Sequence, residues 1–124
     1  MIIREAILED CRKIYHLYQE EGWESFTLDK IQKLVESSYW LVLENEGEIV
    51  GFVRYLTDKL MTTYLCELVV AENHRCKGYA SQMISEINIR YPKTRIDLIS
   101  EADGFYDRLQ FRSVGSGRRK SMSP

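Results

Sequence analysis

One stretch of the sequence decides the fold: residues 68–81 read Leu68-Val69-Val70-Ala71-Glu72-Asn73-His74-Arg75-Cys76-Lys77-Gly78-Tyr79-Ala80-Ser81. Its apolar start is typical of a β-strand, and a short basic loop then leads into a helix. The helix is predicted from apolar residues at helical spacing, namely Ala80, Met83, Ile84, Ile87 and Tyr91. Such a junction suits an anion, because the first N–H groups of a helix lack internal partners and the helix dipole is positive there.

This junction alone does not identify a ligand. Many strand-to-helix turns contain glycine and basic residues without binding anything, so a purely structural turn stays an equal alternative at this point. The loop also fits neither the GxxxxGK[ST] pattern nor the GxGxxG pattern. Neither a nucleoside triphosphate loop nor a dinucleotide fingerprint is therefore supported.

The sequence outside this stretch predicts an alternation of strands and helices. Strands are expected at residues 2–5, 39–43, 49–56, 62–70, 95–100 and 111–114. Helices are expected at residues 11–21, 28–35, 78–91 and 102–109. The turn Asn45-Glu46-Gly47 predicts an antiparallel hairpin, and Gly51 a close backbone approach within the second strand.

The order of these elements predicts the fold class. Strands on both sides of the helix at residues 78–91 imply a right-handed crossover between parallel neighbours, whereas the hairpin implies antiparallel pairs. We therefore expect an α/β (α+β) fold with a mixed, twisted central sheet and helices on both faces.

The bulk composition is that of one globular domain over residues 1–124, with 44% hydrophobic and 29% charged residues. Seventeen basic and nineteen acidic side chains give a net charge of -2, so no overall positive field attracts a polyanion. Nucleic acid is therefore not an expected partner.

The composition also bears on compartment and metals. Three cysteines without a CxxC pair, and no recognisable signal segment, predict a reducing cytoplasm. No apolar run approaches the roughly 20 residues that span a bilayer, so no membrane partner is expected. His16 and His74 lack ligand spacing to any cysteine, so we expect no metal site.

Two motifs resemble a known family. Arg75-Cys76-Lys77-Gly78-Tyr79-Ala80 matches the [RQ]-x-x-G-x-[GA] pyrophosphate loop of the GNAT superfamily of N-acetyltransferases. Gly104-Phe105-Tyr106-Asp107-Arg108-Leu109-Gln110-Phe111 resembles the F-Y-x-x-L-G-F signature of that family. Arg4-Glu5-Ala6 and Gly47-Glu48-Ile49-Val50-Gly51 are similar to its landmarks near the start of the chain. The resemblance implies a small single-domain acetyltransferase that moves the acetyl group of acetyl-CoA to a primary amine of a small molecule or peptide.

The resemblance also implies how acetyl-CoA binds. A V-shaped split is expected between the strand ending near Val70 and the strand starting near Arg95, with the pantetheine arm in the gap. The cofactor-binding residues it implies are Leu68, Val69, Val70, Arg75, Cys76, Lys77, Gly78, Tyr79, Ala80 and Ser81. The main chain of Leu68 and Val70 is expected to pair with pantetheine, and Arg75 and Lys77 add positive charge.

Three residues are catalytic candidates. Tyr106 matches the general-acid tyrosine of the family; with pKa values of about 10 for a phenol and 8.5 for a thiol, protonation of the thiolate is uphill by only roughly 2 kcal/mol. The alternative for Tyr106 is a core aromatic residue. Glu67 and Asp97 are candidates for the general base, because apolar neighbours would bury each carboxylate and raise its pKa. Each could instead be simply hydrogen-bonded, and water could take the amine proton.

The sequence departs from the family pattern at three points. Gln110 replaces the usual glycine, Cys76 stands where glycine or arginine is common, and no asparagine precedes the helix of Tyr106. If position 110 needs a positive φ, the end of that helix is expected to be reshaped. These departures motivate the alternative of a catalytically silent acetyl-CoA-binding regulatory module. The oligomeric state is left open, with a homodimer through the C-terminal strands as one alternative.

Overall fold

Five strands form one mixed sheet in the computed structural model, which describes residues 1–122. The strands are β1 (Ile2–Glu5), β2 (Tyr39–Asn45), β3 (Glu48–Thr57), β4 (Thr62–Val70) and β5 (Arg95–Asp97). They lie in chain order, antiparallel from β1 to β4 and parallel between β4 and β5. The mixed sheet predicted from the sequence is thus confirmed.

Four α-helices connect or follow the strands. They are α1 (Cys11–Glu20), α2 (Leu28–Ser37), α3 (Tyr79–Arg90) and α4 (Asp103–Arg108). Thr27 caps α2, since its hydroxyl accepts a hydrogen bond of 3.3 Å from the backbone N–H of Lys30. Gly22, at a φ of 75°, follows α1, and Pro92 lies just beyond α3.

The helices cover both faces of the sheet, as predicted. Alternation along β3 sends Phe52 to one face and Val53 to the other. On the first face α1 and α2 pack through Ile14, Tyr18 and Ile31. On the second face α3 packs through Met83, Ile84 and Ile87, and α4 covers the rim of the same cluster. The sheet is therefore the buried middle layer.

Gly51 is the point of closest backbone approach in the sheet. A Cβ atom there would lie 2.9 Å from the backbone oxygen of Val69 and 3.3 Å from Cε of Met83. We expect Gly51→Ala to lower the free energy of unfolding by about 2 kcal/mol, because a strand must shift to admit the methyl group. Urea denaturation measures this. Gly115→Ala is the control, because a Cβ atom there would meet no atom within 4 Å. Equal urea midpoints of unfolding for the two variants would contradict the argument.

The C-terminal region differs from the prediction. β5 ends at Asp97, not at residue 100, and residues 111–114 form no strand. The apolar Phe111 was assigned to a strand, but its ring packs edge-on against Tyr106 with the centroids 5.4 Å apart. Residues 98–122 contain no strand. Within residues 1–122, no helix is both long and apolar enough to cross a bilayer.

Candidate active site

A split opens in the sheet between β4 and β5. The two strands pair only over Thr62–Arg95, Thr63–Ile96 and Tyr64–Asp97. Beyond this point β5 ends, whereas β4 continues to Val70 with no described strand on that side. The outer backbone edge of residues 65–70 is therefore not paired with another strand, and apart from the carbonyl of Val70, which accepts from Arg75, it can pair with another molecule.

The alternation of β4 decides which backbone groups face the split. The N–H of Ala71 donates to the carbonyl of Val50 across from β3, at 2.8 Å. Because successive residues of a strand point their backbone groups in opposite directions, those of Leu68 and Val70 point away from β3, toward the split. These are the two residues whose main chains were expected to bind pantetheine. Val69 instead turns its backbone toward β3 and its side chain into the core beneath α1.

A β-bulge interrupts β4 at Cys66. Arg54 lies opposite Glu67 and Tyr55 lies opposite Leu65, so Cys66 is the extra residue. The extra residue interrupts the regular alternation of side chains, so residues 65 and 67 point to opposite faces of the sheet although they are two apart in the sequence. Leu65 consequently packs on the α3 face, while Glu67 reaches Tyr18 on the α1 face.

The loop after β4 ends in an open anion cradle. Gly78 precedes α3 with a φ of 80°, a left-handed conformation that glycine adopts without strain, and a Cβ there would meet no atom within 4 Å. The first helical hydrogen bond runs from the N–H of Gln82 to the carbonyl of Gly78, at 3.1 Å. The N–H groups of Tyr79, Ala80 and Ser81 come before it and have no helical partner. N–H groups in this position are suited to an anion.

The basic residues of the loop differ from each other. Arg75 is engaged, since it donates to the carbonyl of Val70 at 3.0 Å and forms an ion pair with Glu21. Lys77 is exposed and forms no ion pair with any residue from 1 to 122. Cys76 between them is exposed, has a free thiol and takes a φ of 63°. Of the two basic residues in the described loop 75–78, Lys77 is thus the one whose charge is not paired.

Tyr106 lies on α4 beside the split. It is half-buried and packs against the same apolar cluster as Leu68 and Val70, between the rings of Phe105 and Phe111. Burial raises the pKa of Tyr106 above the ordinary value of 10.0. Its phenol therefore carries a proton throughout the neutral range, as a general acid must.

The helix of Tyr106 ends regularly despite Gln110. The N–H of Phe111 donates to the carbonyl of Tyr106, and the N–H of Gln110 to that of Asp107, each at 3.0 Å. These two bonds form a Schellman motif, whose left-handed position usually holds glycine. Gln110 takes this position with a φ of 69°. The positive φ is thus present, but the predicted reshaping of the helix end is wrong, because glutamine adopts the same geometry at a cost in strain.

We expect Gln110→Gly to raise the free energy of unfolding by about 1 kcal/mol, because glycine removes the left-handed strain of a side-chain-bearing residue. Thermal or urea denaturation provides the measurement. Gln32→Gly, in the exposed middle of α2, is the matched control and should lower stability by a similar amount. The same sign at both positions would contradict this interpretation of the helix end.

Glu67 sits in a compact polar network at the bulge. Arg54 donates to both of its carboxylate oxygens, at 2.7 and 2.8 Å, and the hydroxyl of Tyr18 donates at 2.5 Å. The side chains of Glu67 and Arg54 are only 12% and 15% exposed. Burial and the nearby carboxylate raise the pKa of Tyr18, so it stays a donor. The carboxylate of Glu67 is thus largely, but not fully, buried, with both oxygens already accepting hydrogen bonds.

Asp97 has a different environment from the one expected. Its side chain is 43% exposed and lies 3.4 Å from Arg95, two residues before it on the same strand. The burial predicted for this carboxylate is therefore absent, because β5 is short and forms the edge of the sheet. Asp97 lies level with Tyr64, at the closed end of the split.

Two members of this site, Tyr18 and Arg54, belong to no sequence motif. Tyr18 was counted only as part of the apolar face of α1, and Arg54 was not singled out. A charged residue between the buried Val53 and Tyr55 was the available signal, since an arginine in such a strand needs a partner. The partner itself could be identified only once the register of β3 and β4 was known.

Two surface cavities lie elsewhere on the molecule. One, of about 180 Å³, lies beside Tyr39 and Trp40, and the other, of about 230 Å³, lies between α1 and the turn at His74. Neither is lined by Glu67, Asp97 or Tyr106. Within residues 1–122, no three His, Cys, Asp or Glu side chains are grouped to hold a metal ion.

The chain belongs to the acetyltransferase (GNAT) family, whose model matches residues 8–110. Solved structures share its fold at low identity. A GNAT family acetyltransferase from Streptococcus pneumoniae is 20% identical, with a TM-score of 0.81 over 99% of this chain and 98% of the other. The ribosomal-protein-alanine N-acetyltransferase from Brucella melitensis is 16% identical, with a TM-score of 0.81 over 98% and 100%. No curated protein sequence matches significantly.

The residues present fit acetyl-CoA, the cosubstrate of this family. The backbone groups of Leu68 and the N–H of Val70 can pair with the amide groups of a pantetheine arm, whereas the carbonyl of Val70 already accepts a hydrogen bond from Arg75. The unpartnered N–H groups that open α3 lie after the same strand, where the diphosphate would follow. The fit rests on these backbone groups and on the open space at Gly78.

Proposed function

We propose that the chain is an acetyl-CoA-dependent N-acetyltransferase that acts on a primary amine of a small molecule or peptide. We also propose that residues 1–124 work as a single domain. The observation that carries the proposal is the combination of a free β4 edge with an anion cradle at Gly78 and a half-buried phenol at Tyr106. An acetyl-CoA molecule lying along β4 would have its diphosphate at the cradle and its thioester on the side of Tyr106.

The proposed roles follow the geometry of the site. Leu68 and Val70 bind pantetheine through their main chains, and Val69 anchors the strand in the core. The N–H groups of Tyr79, Ala80 and Ser81 bind the diphosphate, and Lys77 adds charge. Gly78 and Cys76 supply the left-handed backbone that turns these N–H groups outward.

The proposed reaction is a direct transfer. Bound acetyl-CoA supplies an activated thioester carbonyl. The neutral amine attacks the carbonyl carbon, so that a C–N bond forms and the C–S bond breaks. Tyr106 gives its proton to the departing thiolate and later regains one from solvent. The amine loses a proton, for which Glu67, Asp97 or water is the acceptor.

The two carboxylates have different merits as the base. Glu67 lies beyond the bulge on the face of α1, but Arg54 and Tyr18 occupy its oxygens. Asp97 is accessible and has only the longer contact to Arg95. Because the split is a gap in the sheet, groups from either face can reach a substrate bound there.

The experiment that tests the proposal has two parts. Isothermal calorimetry measures binding of coenzyme A and acetyl-CoA, and a thiol assay then measures release of coenzyme A with a panel of primary amines. We expect saturable binding and amine-dependent release, with the acetylated amine identified by mass spectrometry. Binding without turnover on any amine would support the silent module instead, and no binding would exclude both functions.

A further inference from the structure

Arg75 connects three parts of the molecule at the entrance of the diphosphate loop. Its Nε donates to the carbonyl of Val70 at the end of β4, at 3.0 Å. Its Nη2 forms an ion pair with Glu21, the residue that follows α1. The guanidinium of Arg75 thus links the end of β4 and the end of α1 to the loop between β4 and α3.

The segment that follows Arg75 needs external support. Cys76 takes a left-handed φ of 63°, which is unfavourable for any residue with a side chain. Such a conformation persists only where the surrounding structure holds it. The side chain of Cys76 is exposed and its thiol is free, so it supplies no support of its own. The fixed neighbour on its N-terminal side is Arg75.

The partner of Arg75 is itself fixed. The N–H of Glu21 donates to the carbonyl of Leu17, so Glu21 continues the hydrogen bonding of α1. The preceding Glu20 accepts a long hydrogen bond, of 3.5 Å, from the N–H of Glu72 at the start of the loop region. Two successive glutamates at the end of α1 therefore contact the segment between β4 and α3.

We infer that Arg75 is a positioning residue, and that its contacts with Glu21 and Val70 hold the loop in the shape that binds diphosphate. This inference rests on the proposed acetyl-CoA binding. The charge of Arg75 is matched by Glu21, which leaves Lys77 as the cation that meets phosphate. An exposed ion pair stabilises a fold only slightly, so this contact acts on the shape of the loop and not on overall stability.

The test measures affinity for coenzyme A by calorimetry. Arg75→Lys keeps the positive charge but loses the guanidinium, whose separate nitrogens donate to Val70 and Glu21. We expect the affinity for coenzyme A to fall about 10-fold. Glu21→Ala should give a smaller loss that disappears in the Arg75→Lys background, because both changes break one contact. Glu24→Ala, a nearby exposed glutamate, is the matched control and should bind as the wild type does.

Two further variants separate positioning from charge. Cys76→Gly removes the side chain that makes the left-handed backbone unfavourable, so in the Arg75→Lys background it should restore most of the lost affinity. Lys77→Ala should weaken binding independently of Arg75→Lys, and its effect should shrink as salt is raised. Circular dichroism verifies the fold of each variant.

Several results would overturn the inference. Arg75→Lys that binds like the wild type would show that charge suffices, and Glu21→Ala that binds more tightly would show that Glu21 competes with phosphate for Arg75. No rescue by Cys76→Gly would contradict the link to the left-handed backbone. A wild type that fails to bind coenzyme A would overturn the proposed function and this inference together, whereas normal binding by all variants would overturn the inference alone.

Discussion

Replacing Tyr106 with phenylalanine is expected to lower kcat about 100-fold on a confirmed amine, because the thiolate would leave without a positioned proton donor. The substitution removes one oxygen from a half-buried ring that packs on Phe105 and Phe111. Packing is therefore preserved, and the KM for acetyl-CoA should change little. Steady-state release of coenzyme A at saturating acetyl-CoA provides the measurement.

The control for this prediction is Tyr15→Phe, which changes a partly buried tyrosine on α1 away from the split. It should leave kcat unchanged. Because burial raises the pKa of Tyr106 above 10.0, the protonated form persists to higher pH than for a free phenol. Activity should thus not fall through ionisation of this group below about pH 10. A Tyr106→Phe enzyme with normal kcat would remove the phenol from the mechanism.

The second large effect is expected at Glu67. Glu67→Ala would leave the guanidinium of Arg54 in a largely buried position without its carboxylate, at 15% exposure of that side chain. We expect the free energy of unfolding to fall by about 3 kcal/mol, as when one partner of a buried ion pair is removed. Urea denaturation measures the loss. Asp97→Asn on the exposed edge is the control and should change stability by no more than about 0.5 kcal/mol.

The same two positions test the identity of the base. Glu67→Gln and Asp97→Asn keep the size of each side chain and remove its basicity. The variant that loses kcat at neutral pH, but regains activity as pH rises and free amine accumulates, identifies the base. If both variants follow the wild-type pH profile, the amine proton leaves to water. Equal stability of Glu67→Ala and the wild type would contradict the structural role of the ion pair.

Much of the fold could be predicted from the sequence because its elements have strong periodicity. The hairpin at residues 45–47, the cap at Thr27 and the helix that ends before Pro92 are local features, each set by a few neighbouring residues. The apolar Phe111 was misassigned to a strand because a short apolar segment has no periodicity that separates a strand from a helix cap. Its hydrogen bond to Tyr106 depends on the preceding helix.

Fewer features of the candidate site could be predicted from the sequence. The loop at Gly78 and the phenol of Tyr106 stand in motifs that can be matched by residue type. The contact of Arg54 with Glu67 depends on strand register, and the bulge at Cys66 shifts that register by one residue. The exposure of Asp97 depends on where β5 stops, which no residue in its vicinity specifies. These features depend on the pairing of strands that are far apart in the sequence, and no local sequence pattern reveals that pairing.

The free edge of β4 has a consequence for the protein when coenzyme A is scarce. An unpaired strand edge is a template for self-association through backbone hydrogen bonds, the route by which many sheet proteins precipitate. A molecule lying along Leu68 and Val70 would shield that template. Saturation with coenzyme A should therefore suppress light scattering on heating more than its effect on the melting temperature accounts for, so that metabolite supply would govern solubility as well as turnover.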